Sequence, residues 1–227
     1  MKKSNDTIKI YVWEFPVRLT HWINFFCILI LSLTGYYMGT PLDHSIFSKQ
    51  YIFSLIRFTH FVAAYAFLMS FIIRLYWSLA GNEHANMLQW IPLTRGQVKT
   101  LLNDIRHHLV LDIKATSKIG HTALGSFVFF ILQIIFCFAL ISGFAMYSIK
   151  HPGEHMRVVG EWVQNTVPVD RVKSYHTMVM YTFLVFVPIH LFMSLMNHIK
   201  LKNRLIGSII SGHKLIHENY EKSPSSK

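Results

Sequence analysis

Four long apolar runs, at roughly Trp22–Tyr37, Phe53–Leu79, Ile119–Tyr147 and Tyr175–Met196, constrain this chain more than anything else in it. A helix rising about 1.5 Å per residue needs about 20 apolar residues to cross a hydrocarbon core of about 30 Å. In lipid the backbone must satisfy its own hydrogen bonds, and an α-helix does so within one segment. The first run is short if read strictly, and it reaches the required length by tilt and through its polar flanks. With 52% hydrophobic residues and a mean hydropathy of +0.35, the chain is too apolar for an ordinary soluble domain. The expected fold is an all-α membrane protein, a four-transmembrane-helix bundle. It forms a single integral domain over 1–227, with helices at about 19–38, 51–80, 117–148 and 172–200.

The net charge of +11 suggests nucleic acid until its distribution is considered. Fifteen Lys and Arg fall before the first run, between the second and third, and after the fourth. Only six lie at the opposite connections and helix mouths: Lys49, Arg57, Lys150, Arg157, Arg171 and Lys173. That asymmetry follows the positive-inside rule. It places both termini in the cytoplasm of a multi-pass protein of the bacterial cytoplasmic (inner) membrane, with the lipid bilayer and no nucleic acid as partner. Lys2, Lys3 and Lys9 before the first run resemble a signal peptide. No small-residue cleavage site follows Leu33, so the run is expected to be mature structure.

Between the second and third runs, Val98, Leu101, Leu102, Ile105 and Leu109 recur at helical spacing, opposed by Arg95, Lys99, Asn103, Asp104 and Arg106. This pattern predicts an amphipathic helix lying on the cytoplasmic membrane face. The external segment from Lys150 to Lys173, with Pro152, Trp162 and Pro168, is the natural place for a partner to dock. The stretch 201–227 is polar and is expected to be a frayed cytoplasmic tail. Cys27 and Cys137 lie within apolar runs and are expected to be buried structural thiols, and there is no CxxCH for covalent haem.

Histidine inside lipid is costly without a partner, so His21, His60, His176 and His190 are candidate functional residues. His176 and His190 are fourteen residues apart. At about 100° and 1.5 Å per residue they share one helical face to within roughly 40° and lie about 21 Å apart. Depth then pairs His60 with His176 near the outer leaflet and His21 with His190 near the inner one. Each pair would offer one imidazole from each of two helices to a haem iron. Helix-bridging histidines and a bare metal are the alternatives. Zinc or di-iron sites want clustered His and carboxylates, and no Asp or Glu lies within the apolar interiors. The tautomer of each ligand needs a partner for its other nitrogen, and Thr20, Thr59, Ser174 and Thr177 are nearby hydroxyls.

Arg18 and Arg57 each precede a candidate ligand by three residues, and Arg74 follows His60 by fourteen, on the same face at the inner depth. They are candidate partners for haem propionates, with interfacial snorkelling as the alternative. His121, at the cytoplasmic start of the third run, is a candidate wall of a quinone pocket or a plain interfacial residue.

The stretch Val12-Trp13-Glu14-Phe15-Pro16-Val17-Arg18-Leu19-Thr20-His21-Trp22, running on to Leu33-Thr34-Gly35-Tyr36, resembles the opening signature of the b-type cytochrome subunit of membrane-bound nickel–iron hydrogenases. The likeness continues through Ile56-Arg57-Phe58-Thr59-His60-Phe61, Ile141-Ser142-Gly143-Phe144-Ala145-Met146-Tyr147 and Ser174-Tyr175-His176 with His190. The resemblance implies a di-haem four-helix cytochrome with two haem b groups on His21, His60, His176 and His190. It implies electron transfer from the small and large subunits of a periplasmic nickel–iron hydrogenase to menaquinone or ubiquinone. One departure is that Gly120-His121-Thr122-Ala123 stands where the family often has Asn-Pro after the Gly-His. The rival readings are a stand-alone membrane di-haem quinone oxidoreductase, the cytochrome subunit of a related dehydrogenase such as formate dehydrogenase, and a haem-free transporter whose histidines relay protons.

Overall fold

The computed structural model of the chain describes residues 7–40, 49–87, 91–92, 94–109, 120–150, 157–201 and 205–217. In chain order the elements are β1 (Thr7–Tyr11), α1 (Phe15–Gly39), α2 (Lys49–Ala80), α3 (Arg95–Leu109), α4 (Ala123–Lys150), α5 (Arg157–Thr166), α6 (Val169–Leu201), α7 (Leu205–Ser211) and β2 (His213–His217). Four of them, α1, α2, α4 and α6, are long and apolar enough to cross a membrane. The protein is a multi-pass helical membrane protein, as its apolar runs require.

The helix ends follow local chemistry. Pro16 sits in the first turn of α1, where its missing N–H leaves no bond unmade. The third long helix starts at Ala123 rather than near 117, because the Thr122 hydroxyl caps it by accepting the Gly125 N–H at 3.0 Å. At the start of α6, Asp170 lies in the first turn and complements the helix dipole. Thr94 and Gln97 form a reciprocal capping box at α3, with Gln97 Oε1 accepting Thr94 N–H at 2.9 Å and Thr94 Oγ1 accepting Gln97 N–H at 3.2 Å.

The described residues pack as two compact units rather than one. The first draws on the described residues within 1–19, 74–130 and 190–227, and the second on those within 20–73 and 131–189.

The second unit has an aromatic core of Phe67, Phe71, Phe136 and Phe183 around Cys27. Phe136 meets Phe67 edge-on at 4.9 Å and stacks on Phe183 at 5.4 Å, geometries that favour the ring quadrupoles. Cys27 is buried as expected, but Cys137 is exposed on the outer face of α4, which corrects the reading of both thiols as buried. Here α5 docks closely on α4. A Cβ at Gly160 would overlap the Ser148 side chain, and Gln164 Nε2 donates to the Ala145 carbonyl and to Ser148 Oγ, each at 3.0 Å.

The first unit contains the feature that the helical reading missed. Strands β1 and β2 pair antiparallel, with Thr7 opposite His217 and Tyr11 opposite His213. The tail is therefore not frayed over 205–217. It is held by Val12, Trp13, Val17 and Ala85, against which Ile10, Trp77 and Ile209 pack. Gly212 makes the return possible. Its φ of 83° suits glycine, its N–H donates to Ser208 O, and its carbonyl accepts Val12 N–H at 2.8 Å and Trp13 N–H at 3.1 Å. Glu14 Oε2 ties this end together by accepting from Trp77 Nε1 and the Asn82 N–H, both at 2.8 Å. In α3, Asp104 departs from the expected polar face. It is buried and accepts the Leu124 N–H at 3.3 Å, while Val98 and Leu102 on the apolar side stay exposed.

Lys214 on β2 is 5% exposed, and burial pushes its ammonium down from 10.5 to about 8. Between those values the unfolded chain holds a proton that the folded one has released, so unfolding takes up a proton and raising the pH opposes it. The thermal midpoint in detergent should therefore rise between pH 8 and 10.5. The Lys214→Met variant should melt higher than wild type below that window and show no such rise within it.

Candidate functional site

Within the second unit, His60 of α2 and His176 of α6 face one another with ring centroids 6.4 Å apart and planes at 65°. They line a cavity of about 510 Å³, within the usual range of cofactor pockets. Its walls are mostly apolar, with Phe61, Tyr65, Phe144 and Tyr147 among them. The two cations on the lining are Arg57 and Lys173. Each precedes one of the histidines by three residues and so sits one helical turn away on the same face. The Arg57 guanidinium is steadied over the Phe53 ring at 4.9 Å.

The other two long helices supply the partners for the rings. On α1, Thr34 Oγ1 lies 2.8 Å from His60 Nδ1. On α4, Ser142 Oγ lies 2.9 Å from His176 Nδ1. The hydroxyls singled out from the sequence do other work: Thr59, Ser174 and Thr177 donate to the carbonyls of Leu55, Asp170 and Lys173 on their own helices. Thr20 is buried, and its carbonyl accepts the Ser70 hydroxyl at 3.3 Å. Sequence reasoning looked next door to each histidine, whereas the partners lie on a different helix. The available signal was the pair of hydroxyl–glycine steps, Thr34-Gly35 and Ser142-Gly143.

Those glycines open space beside the rings. A Cβ at Gly35 would stand 3.6 Å from His60 Cε1, and one at Gly143 would stand 3.2 Å from His176 Cε1. The latter is tighter than ordinary van der Waals contact.

His21 also lies in the second unit, half-buried on α1 and edge-on to Trp22 at 5.7 Å. The remaining candidates are in the first unit. His190 is on α6. Arg18 donates to the Ile210 carbonyl and sits over Phe15. Arg74 is buried, donates to Ala85 O at 3.5 Å and lies over the Phe129 ring at 4.7 Å. His121 stacks on Phe129 at 6.0 Å and 15°, with Trp13 tilted against it at 4.6 Å. Trp13, His121, Phe129 and Arg74 thus form a continuous series of ring and cation contacts that the spacing of these residues did not foretell.

Comparison with known proteins matches residues 12–212 to the model of the prokaryotic cytochrome b561 family. The chain belongs to that family. It is 33% identical to a "Probable Ni/Fe-hydrogenase B-type cytochrome subunit" of Rhizobium leguminosarum bv. viciae, with 94% of this chain and 92% of that one covered. A protein of the same description from Cupriavidus necator is 32% identical, covering 93% and 89%. The "Probable Ni/Fe-hydrogenase 1 B-type cytochrome subunit" of Escherichia coli (strain K12) is 29% identical, covering 94% of each.

A cytochrome b of this family implies haem b, and the residues present fit that group. Two imidazoles from two helices stand 6.4 Å apart, centroid to centroid, on the lining of a mostly apolar cavity, and each carries a nitrogen that could hold the iron. The donor set is nitrogen only. Among the described residues, no three His, Cys, Asp or Glu cluster as a bare metal would require. Filling the space beside His176 should matter accordingly. In this cytochrome Gly143→Leu should cost the haem held at this pair, read as a fall in haem b content per chain by pyridine haemochrome assay, with Gly96→Ala on α3 as an unaffected control. Full haem content in Gly143→Leu would place the haem elsewhere.

Proposed function

We propose that this cytochrome b is the di-haem membrane subunit that takes electrons from the small and large subunits of a periplasmic nickel–iron hydrogenase and passes them to membrane quinone. The observation that carries the reading is the facing pair His60 and His176 across an apolar cavity with Arg57 and Lys173 on its lining. The relatives, described as hydrogenase cytochrome subunits, supply the hydrogenase.

Haem b, when bound, supplies a one-electron iron centre. His60 and His176 would hold the outer haem by one ring nitrogen each, and Arg57 and Lys173 would neutralise its propionates. His21 and His190 are assigned the inner haem on their sequence spacing alone, with Arg18 and Arg74 as the cations on that side. Both termini are assigned to the cytoplasm and the protein to the bacterial inner membrane by the Lys and Arg distribution. The exposed Val98 and Leu102 of α3 would then lie on the cytoplasmic lipid face. On the opposite side α5 would face the hydrogenase, with Trp162 exposed on it.

Quinone, whether menaquinone or ubiquinone, takes up two protons with two electrons. His121 is a titratable ring at the proposed cytoplasmic end and is assigned to its pocket. Each electron moved inward would work against the inside-negative membrane potential at about 2.3 kcal/mol per 100 mV, so quinone reduction with cytoplasmic proton uptake would be electrogenic. Co-purification with a large soluble hydrogenase separates this reading from a stand-alone quinone oxidoreductase.

Two measurements test the assignment. His60→Ala and His176→Ala should each remove one and the same haem, while His21→Ala and His190→Ala remove the other, by difference spectra of dithionite-reduced protein. His21 and His60 variants that look alike, and unlike the His190 variant, would overturn the pairing. His121→Phe keeps a ring against Phe129 and Trp13 but removes the nitrogens. It should slow quinone reduction several-fold with both haems bound and reducible by the hydrogenase; wild-type turnover would remove His121 from the mechanism.

A further inference from the structure

The contacts around His60 and His176 repeat one another in detail. Thr34 Oγ1 lies 2.6 Å from Ile30 O, four residues back on α1, and 2.8 Å from His60 Nδ1. Ser142 Oγ lies 2.8 Å from Phe138 O, four residues back on α4, and 2.9 Å from His176 Nδ1. A hydroxyl has one proton to give and lone pairs to receive. At 2.6–2.8 Å from a carbonyl oxygen, which only accepts, the proton must lie on that line. The hydroxyl is then left as an acceptor, and the ring nitrogen facing it must be the donor.

We propose that Thr34 and Ser142 are positioning residues of the outer haem. Each holds its histidine as the Nδ1–H tautomer, leaving the Nε2 lone pair for iron, and each lowers the haem's reduction potential by accepting the Nδ1 proton. The inference rests on the haem reading above and deepens it. A hydrogen bond from Nδ1–H makes the imidazole a stronger donor, which favours ferric over ferrous iron. The chain from helix carbonyl to hydroxyl to ring polarises along its length, which strengthens the effect. The glycine after each hydroxyl lies beside the ring that the preceding residue holds: a Cβ would touch His60 at ordinary contact distance from Gly35 and would be tight against His176 from Gly143. The hydroxyl–glycine step on one helix and the cation three residues before the histidine on another therefore occur twice around one cavity.

The test is spectropotentiometric titration of Thr34→Val, Thr34→Ser and Ser142→Ala in the complete chain, with haem content measured alongside. Thr34→Val should keep both haems and shift the outer one about tenfold toward the reduced form at fixed poise, about 59 mV upward for a one-electron couple. Thr34→Ser should restore the wild-type potential. Ser142→Ala should shift it in the same direction. Loss of the outer haem alone from Thr34→Val, with its retention in Thr34→Ser, supports the same role. An unchanged potential in Thr34→Val, or an equal shift in Thr34→Ser, overturns it. The wild type gives a reading that needs no variant: proton electron–nuclear double resonance of the ferric outer haem should find an exchangeable proton on each remote ring nitrogen. Its absence refutes the tautomer. Wild-type protein without any haem would instead end the functional reading itself.

Discussion

A polar side chain within a membrane-spanning helix has no water to fall back on, so its partner must come from the protein. That requirement organises the second unit. His60 and His176 cannot stand alone on apolar helices, and each is met by a hydroxyl from a different long helix. The hydroxyls are themselves anchored to carbonyls of their own helices, so no member of either chain is left with an unmatched donor. All four long helices thereby contribute one polar residue to a single place. Interhelical polar contacts of this kind are individually modest, yet each one fixes the rotation of a helix about its axis, because only one face carries the hydroxyl.

The first unit meets the same demand by different means. Glu14 is a carboxylate at the mouth of α1, and it is satisfied by an indole N–H and a backbone N–H rather than by a cation. Asn82 extends the arrangement, donating to Val12 O and accepting from the Ala85 N–H, both at 3.0 Å. The loop after α2 is thus tied to the segment before α1. Gly212 then turns the chain from α7 into β2 so that the strands can pair, since a Cβ there would run into the Tyr11 ring and the Trp13 carbonyl.

What the sequence made legible follows from the range of each signal. Apolar length is a property of one segment, so α1, α2, α4 and α6 could be read directly from their runs. The facing of His60 and His176 was accessible because depth in a membrane is shared by all spans and can be counted from each helix mouth. Thr34 and Ser142 were missed because rotation about a helix axis is not set by depth, and the search stayed beside each histidine. The β1–β2 pair was missed for another reason. Thr7-Ile-Lys-Ile-Tyr alternates but His213-Lys-Leu-Ile-His does not, each is only five residues long, and they lie at opposite ends of the chain. A polar tail and a strand are indistinguishable until the partner is known. Asp104 belongs to the same class: its helical phase placed it with the charged residues, and only the Leu124 N–H explains its burial.

The duplicated hydroxyl–histidine arrangement has a consequence for the proposed electron transfer. A carrier that exchanges one electron quickly must not rearrange its ligands as its charge changes. Ligands held only by the metal would be free to rotate or to swap tautomer with each oxidation. Here the orientation of each ring is set by a hydroxyl on a neighbouring helix, and the tautomer by a proton already committed to a backbone carbonyl. Neither partner bonds the iron, so ring orientation and tautomer would persist through its change of oxidation state. The polypeptide would thus hold both proposed ligands ready before the cofactor binds, and the hold rests on helices rather than on loops. The same logic explains why glycine follows each hydroxyl: the step that aims the ring must also leave it room.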